Sequence, residues 1–452
     1  MSGVNPKVTS ELARGEGPTR SVWTTKGPTA WPPPPNLMSY TALLDIETCP
    51  LRWGLRHGEY AGLWGGKGYP VAPAAATIAG HVVHVALERI VRAVGAAGEV
   101  RAGEPDVGVG NALTSVVEAL RDLGGISAVL EGVVRDTVIE WESNPRLQPR
   151  VKELSNELER QLPTLRPRVQ QFLSRVDLSR LRPGRDTSCV GGGEGREPIA
   201  RSLSPGLHAE VPLVNDELGW YGKADLLRVG ADTGAVVGDE IVDFKTGLPK
   251  PDHAFQLRIY ALLWAREARR NPAGRRACKL TVMYGGEAVD VHAPATDEEL
   301  KGVAHELAGR TAQARAAIRQ HPPAPRPSRE ACEWCDVRQM CPAYWAPDTR
   351  AAILPPVELT RQQADVGVQV LQRQGAWSWV ARVHELGALS EDVVVGARVL
   401  LRARPHDARF APLLRVGERL RIVGAQCAAP SDESGGLRVL SLKRATEAYL
   451  LP

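Results

Sequence analysis

Ile241-Val242-Asp243-Phe244-Lys245-Thr246-Gly247 is the stretch whose reading decides the fold. Two β-branched apolar residues lead into an alternating Asp-Phe-Lys, and Thr246-Gly247 supplies a turn signal. The pattern predicts a buried strand near its C-terminal end. Side chains two apart on a strand point the same way, so the Asp243 carboxylate and the Lys245 ammonium stand side by side. A carboxylate can hold a divalent cation, and a neighbouring ammonium stabilises an attacking hydroxide or charge developing on phosphate. The pair is half of a hydrolytic site, although Asp-x-Lys alone is also common on solvated strand faces.

The flanking sequence extends this pattern. Gly222-Lys223-Ala224-Asp225, followed by Leu226-Leu227, predicts a second apolar strand carrying an acid, and His208-Ala209-Glu210-Val211-Pro212-Leu213 predicts a third. Downstream, Gln256-Leu257-Arg258-Ile259-Tyr260-Ala261-Leu262-Leu263-Trp264 repeats apolar residues at helical spacing, which sets Gln256 and Tyr260 one turn apart on one face. Upstream, residues 77–98 predict a helix on which His84, Leu87, Glu88 and Val91 share a face. Out of context His84 reads as a hydrogen-bonded, partly buried histidine. Glu88, one turn on, either orients His84 or is surface charge.

Together, Gly80-x-x-x-His84, Gly222-x-x-Asp225, Asp243-x-Lys245-Thr246-Gly247 and Gln256-x-x-x-Tyr260 resemble the PD-(D/E)XK nuclease superfamily, in its RecB-type, CRISPR-adaptation-type branch. The resemblance implies an α/β fold with a restriction-endonuclease-like mixed central sheet flanked by helices. It implies that His84, Asp225 and Asp243 bind Mg2+ or Mn2+, with the Phe244 carbonyl as a further ligand. Lys245 then assists the nucleophile, and Gln256 and Tyr260 help form the site. Glu210 either binds through water or flanks the site. One departure is visible: Ala224 stands where the superfamily's name has proline. The implied activity is metal-dependent hydrolysis of DNA, as an exonuclease on single-stranded or end-processed DNA in repair, recombination or phage defence. The alternatives are a scaffolding subunit with a silent site in a helicase-nuclease or defence complex, and an RNA-processing enzyme.

A second constellation is Cys332-x-x-Cys335-x-x-x-x-x-Cys341-Pro342. Seven cysteines in a chain that reads as cytosolic do not suggest disulfides. Three close thiols need a fourth ligand, and Cys49-Pro50 is the best remote candidate. Spacing alone leaves zinc and an iron-sulfur cluster equally open. The resemblance favours a [4Fe-4S] cluster, because an iron-sulfur subgroup of RecB-type nucleases has one cysteine before the catalytic core and three after it. Such a centre would clasp the ends of the nuclease domain across a long loop. Cys189, Cys278 and Cys427 read as ordinary thiols.

The whole-chain figures bound these expectations. At 452 residues the chain has room for two or three domains. A net charge of +4 means that nucleic-acid contact must come from local patches. No stretch of apolar residues is long enough to span a bilayer and the N-terminus lacks an apolar signal core, so a cytoplasmic protein is expected. Residues 1–36 read as a disordered arm with a Pro-rich linker, and 37–350 as the nuclease domain with a helical insertion at about 105–182. Residues 351–452 read as a small, OB-like β-barrel after a short helix near 359–374, with strands at 376–385, 393–404, 417–425 and 437–442. On that barrel Arg398, Arg402 and Arg404 line one strand face, and Trp377 and Trp379 either stack bases of single-stranded DNA or belong to the core. The glycine-rich 191–195 and 65–68 lack the Lys-Ser/Thr of a nucleotide loop, so any helicase or ATPase motor is expected to be a separate partner.

Overall fold

Ser39 starts the first helix, α1 (Tyr40–Thr48), its hydroxyl accepting from Ala42 N at 3.1 Å. Cys49-Pro50 turns the chain into α2 (Pro50–His57). After α3 (Ala75–Arg101), α4 (Gly125–Glu142) and α5 (Val151–Arg175) come the strands β1 (Gly206–Asn215), β2 (Trp220–Val229) and β3 (Asp239–Lys245). The computed structural model describes residues 24–72, 75–101, 117–176, 202–230, 238–285, 289–353, 363–388, 393–404, 409–428, 436–443 and 445–452. The glycine-rich 191–195 and Cys189 lie outside these residues, as do 1–23, 102–116 and 177–201, and with them both ends of the insertion.

β1, β2 and β3 run antiparallel in sequence order, β4 (Ala277–Tyr284) lies parallel to β3, and β5 (Val289–His292) returns antiparallel. The parallel step requires a crossover, which α6 (Pro251–Ala265) provides. Both faces of the sheet are covered, so β3 is apolar on both sides apart from its charged positions. Ile241 faces a core made with α1, α6 and α7 (Asp297–Arg319), including Leu43, Leu257 and Leu307. Val242 and Phe244 face the opposite core of α3, α4 and α5, among Val83, Val133 and Phe172. The insertion helices α4 and α5 are thus scaffold for the α3 side of the sheet.

Beyond α8 (Arg329–Glu333) and α9 (Pro347–Ile353) the chain changes to β-structure: β6 (Gln363–Gly375), β7 (Ser378–Leu386), β8 (Arg398–Ala403), β9 (Arg419–Ala428), β10 (Arg438–Leu442) and β11 (Glu447–Leu450). β10 pairs parallel with β8 and antiparallel with β9, which closes β6-β7-β8-β10-β9 into a five-stranded barrel, with β11 added to β9. The helix expected near 359–374 is corrected over its described part, because 363–374 belongs to β6. Val366, Val368 and Val370 alternate into the barrel core, and β6 pairs with β7 on one side and β9 on the other. Pairing on both edges overrides a helical local pattern. Trp379 is core, 2 % exposed, whereas Trp377 in the β6–β7 turn is half-buried.

The barrel is interlocked with the rest of the chain. Its apolar core continues into Leu51 and Leu55 of α2 and into Cys332, Cys335, Val337 and Met340. Residues 24–36, read from sequence as arm and linker, lie against the body: Thr25 N donates to Leu450 O at 3.0 Å and Thr29 N to Glu59 O at 2.7 Å, and just beyond them Met38 N donates to Gly219 O at 2.8 Å. Arg146, between α4 and α5, reaches Glu447 of β11 with Nε–Oε1 at 2.7 Å and Nη2–Oε2 at 2.6 Å, and the Tyr449 hydroxyl donates to Glu447 Oε2 at 2.8 Å. The guanidinium also donates to Pro70 O at 3.2 Å. Arg146 is 4 % exposed, so both charges are withdrawn from water and depend on each other. Glu447→Ala is expected to lower the free energy of the first unfolding transition by about 3–5 kcal/mol, because it strands a buried guanidinium. Denaturant unfolding measures it, and a loss below about 1 kcal/mol, the worth of a surface pair, contradicts this clasp.

Candidate active site

The site is built where sheet pairing stops. The β2–β3 ladder runs Arg228↔Glu240, Leu227↔Ile241, Leu226↔Val242, and its next step would set Asp225 opposite Asp243. The ladder does not continue there; the Asp225 carboxylate instead takes the N–H of Phe244 at 2.6 Å. On the other side the β1–β2 register pairs Ala209↔Leu226 and Val211↔Ala224, with Glu210 opposite Asp225 between them. Glu210, Asp225 and Asp243 therefore form one cross-strand row of three acids. Like charges directly opposite on neighbouring strands destabilise a sheet.

Glu210 has φ +54, the positive-φ non-glycine residue among the described residues, and it forms an ion pair with Lys223. A side chain with a Cβ adopts this backbone region at a cost of about 1–3 kcal/mol, and such strain concentrates at functional sites. The result is that one atom each of Glu210, Asp225 and His84 falls within 4.8 Å of the others. His84 comes from α3, its Nδ1 3.6 Å from Asp225 Oδ2 and its ring edge-on to Phe244. Gly80, one turn earlier, is what lets α3 approach: a Cβ there would sit 2.7 Å from Thr246 Oγ1. Burial lowers the pKa of His84, which favours the neutral imidazole that ligates metals. Glu88 pairs with Arg92 at 2.7 Å on the helix surface, the surface-charge alternative of its two readings.

Lys245 lies on the same side as Asp243, Nζ 2.7 Å from Oδ2, and donates to Gln256 Oε1 at 2.9 Å. Gln256 Nε2 in turn donates to the Tyr260 hydroxyl at 2.7 Å. Because a lysine offers only donors, this chain fixes which way the amide of Gln256 points and holds the ammonium against the carboxylate. Gly222 makes room for the last member, since a Cβ there would meet the Tyr260 ring at 2.8 Å. Gly80 and Gly222 thus serve close approaches, whereas nothing crowds Gly247.

β3 carries a second buried aspartate that shows what a structural one looks like. Asp239 accepts from Gly230 N and Trp264 Nε1, each at 2.9 Å, and pairs with Arg275. Asp243, equally buried at 2 % exposed, instead meets the Lys245 ammonium, 2.7 Å from its Oδ2. Desolvation, then the neighbouring Asp225, raises the pKa of Asp243 from 3.8 to about 7. Desolvation also raises Asp225 to about 7, against the opposing Phe244 N–H, with the Glu210 charge adding to the rise. Two buried carboxylates with raised pKa values beside one ammonium mark a candidate functional site. The oxygens of Asp225 and Glu210 with the neutral imidazole nitrogen of His84 are a donor set that suits Mg2+ or Mn2+, and Asp243, expected from the sequence as a ligand, lies outside that close group.

The cysteines converge at the far end of the domain. Cys49, Cys332, Cys335 and Cys341 line one cavity together with Arg52, Arg338 and Tyr344, and all four are free thiols. No three of their Sγ atoms lie mutually within 4.8 Å. The gap in sequence is bridged by charge: Arg56 of α2 joins Asp45 Oδ1 at 3.2 Å and Asp336 Oδ1 at 2.7 Å, while Arg52 Nε donates to Asp45 at 2.8 Å. Of the remaining thiols, Cys278 is exposed and Cys427 half-buried.

The structure thus brings together His84, Asp225, Asp243, Phe244, Lys245, Gln256 and Tyr260. It also gives Glu210 a place that its sequence neighbours did not disclose. The sequence profile of the PD-(D/E)XK nuclease superfamily matches residues 37–342, which contain all of them. No curated protein matches the chain.

The raised acids have a pH signature in protein freed of divalent metal. A carboxyl whose folded pKa lies above its unfolded value contributes stability that is full below about pH 4 and lost as pH rises through about 7. Asp243→Asn removes that loss. The variant and the wild type should therefore unfold alike near pH 4, with the variant gaining progressively towards pH 7 and holding its advantage above. Thermal unfolding across pH in EDTA checks this, and a variant less stable than the wild type at pH 8 contradicts it.

Proposed function

The chain belongs to the PD-(D/E)XK nuclease superfamily, and from that premise we propose that it hydrolyses DNA phosphodiester bonds with a divalent cation held by His84, Asp225 and Asp243. The observation that carries this reading is the contrast between the two buried aspartates of β3: Asp239 takes two hydrogen bonds and a guanidinium of its own, whereas Asp243 faces a second buried carboxylate, Asp225, with the Lys245 ammonium beside it. Glu210 opposes Asp225 and lies close enough to share the cation, and the Phe244 carbonyl is a further ligand. When bound there, Mg2+ or Mn2+ lowers the pKa of a water and offsets charge on the phosphate.

The chain's own residues do the rest. Asp243 and Asp225, relieved of each other's charge, act as paired anions that fix position. The Phe244 N–H keeps one oxygen of Asp225 aimed along the row. Lys245, restrained by Gln256 and Tyr260, presents its ammonium beside Asp243, where it stabilises the attacking hydroxide or the charge that develops on phosphorus. Burial pushes the Tyr260 phenol up, so its hydroxyl remains a proton-bearing partner of Gln256. The substrate is single-stranded or free-ended DNA, cut as an exonuclease.

We place the chain in the RecB-type branch with a [4Fe-4S] cluster at Cys49, Cys332, Cys335 and Cys341. The four thiols line one cavity, which supports a shared centre, and the one-plus-three order of the cysteines favours the cluster over zinc. The barrel's strand order, β6-β7-β8-β10-β9 closing on β6, supports an OB-like barrel.

Two measurements test the proposal. End-labelled single- and double-stranded DNA incubated with anaerobically purified protein and Mg2+ or Mn2+ should be cut. Lys245→Ala should reduce the rate on the order of a hundredfold or more; DNA binding without cleavage by the wild type would instead favour a scaffold. Iron and acid-labile sulfide should be present in the anaerobic protein and depleted in Cys332→Ser. Stoichiometric zinc in the wild type would overturn the cluster assignment.

A further inference from the structure

The C-terminal barrel carries a cross-strand row of the opposite sign. Arg419 on β9 stands opposite Gln369 on β6, Gln369 opposite Arg382 on β7, and Arg382 opposite Arg398 on β8. All four side chains are exposed. With neighbouring strands about 4.8 Å apart, the row runs roughly 14 Å across the barrel, perpendicular to its strands. Arginines directly opposite each other repel, and among the described residues no carboxylate pairs with them. Among the described residues, Arg382, Arg398 and Arg419 make no side-chain ion pair or hydrogen bond. The five barrel strands hold just two carboxylates, Asp365 and Glu385. Asp365 is engaged by Arg338 and Tyr344, and Glu385 by both arms of Arg421. Arginines elsewhere, such as Arg56, Arg146 and Arg310, each have an acid.

Beside the row, on the side of the strands away from the barrel's own core, Val380, Leu400 and Val439 form a second, buried apolar cluster, and half-buried Leu371 and Leu437 pack on it. Along β8 the outward positions therefore read Arg398, Leu400, Arg402, and Arg402 stands opposite Ser378 and Ser441. Trp377, half-buried in the turn next to Ser378, adds an aromatic edge. A line of cations beside apolar and aromatic surface matches a strand that presents phosphates on one side and unstacked bases on the other. A duplex presents only its phosphates.

We propose that Arg419, Gln369, Arg382 and Arg398 bind the phosphate backbone of single-stranded DNA, whose bases lie on Leu371, Leu437 and Trp377. DNA as the polyanion rests on the nuclease reading above; the row itself does not. Binding of a fluorescein-labelled oligothymidylate to the full-length protein, in EDTA and across a series of NaCl concentrations, tests it independently of cleavage. Replacing all three arginines (Arg382→Gln, Arg398→Gln and Arg419→Gln) should weaken binding and make the slope of log affinity against log salt shallower by about 2, as three lost single-strand phosphate contacts require. Lys301→Ala, on an exposed part of α7, should leave the slope unchanged. The triple variant should unfold at the same or a higher temperature than the wild type, since like-charge repulsion is removed. An unchanged slope and affinity in a folded triple variant overturns the proposal. So does duplex DNA of the same length competing as well as the single strand, or loss of poly-glutamate binding with oligothymidylate binding intact. A wild type that binds by this row yet cuts nothing would contradict the nuclease reading and leave the row standing.

Discussion

Three acids on three adjacent strands, with pairing interrupted at the row they share, are the constraint on which this structure turns. Glu210, Asp225 and Asp243 could relax if β1, β2 or β3 slid or turned a side chain outward. Both faces of the sheet are packed, however, and a slip of one residue would exchange the two cores. The repulsion is therefore retained, and together with the larger effect of burial it raises the carboxyl pKa values of Asp225 and Asp243. The surrounding features limit or exploit it: the positive φ of Glu210, the close approach of α3 at Gly80, and the lysine held by Gln256 and Tyr260.

The far end of the molecule follows a different logic, in which charge is neutralised in place. Arg146 and Glu447 lock the insertion to β11, and Arg338 joins the cysteine segment to Asp365 of β6 at 2.7 Å. Asp365 also takes Tyr344 OH and the N–H of Gly424. Arg56 and Asp336 close the sequence gap between α2 and the last three cysteines. The barrel consequently shares its core with the cysteine segment, and the thiol-lined cavity sits between the two sheets' supporting elements. A metal centre there would strengthen a junction that ion pairs and apolar packing already define.

Much of this was legible in the sequence where short-range pattern decides structure. The alternation at 241–245 and the four-residue spacing of Gln256 and Tyr260 translate directly into directions of side chains, so most of the candidate site could be placed by motif. What escaped depends on register and backbone angle. The position of Glu210 opposite Asp225 and its positive φ follow from how β1 meets β2, which no local pattern encodes. β6 read as helix because Leu, Gln and Arg at its end have helical preference, while its strand state comes from pairing with β7 on one edge and, on the other, with β9 fifty or more residues away. The arginine line was glimpsed at Arg398 and Arg402, but Arg382 and Arg419 joined it only through cross-strand pairing, and Arg404 falls beyond the end of β8.

The most direct test of the acid row is calorimetric titration of the protein with Mn2+ near pH 6.5, in two buffers of different ionisation enthalpy, for the wild type and Asp243→Asn. If the row is a cation site whose carboxyls titrate near 7, the wild type binds Mn2+ and releases protons as it does so, and the variant loses both the binding and the proton release. Absence of Mn2+ binding by the wild type, or binding that survives unchanged in Asp243→Asn, would contradict the account.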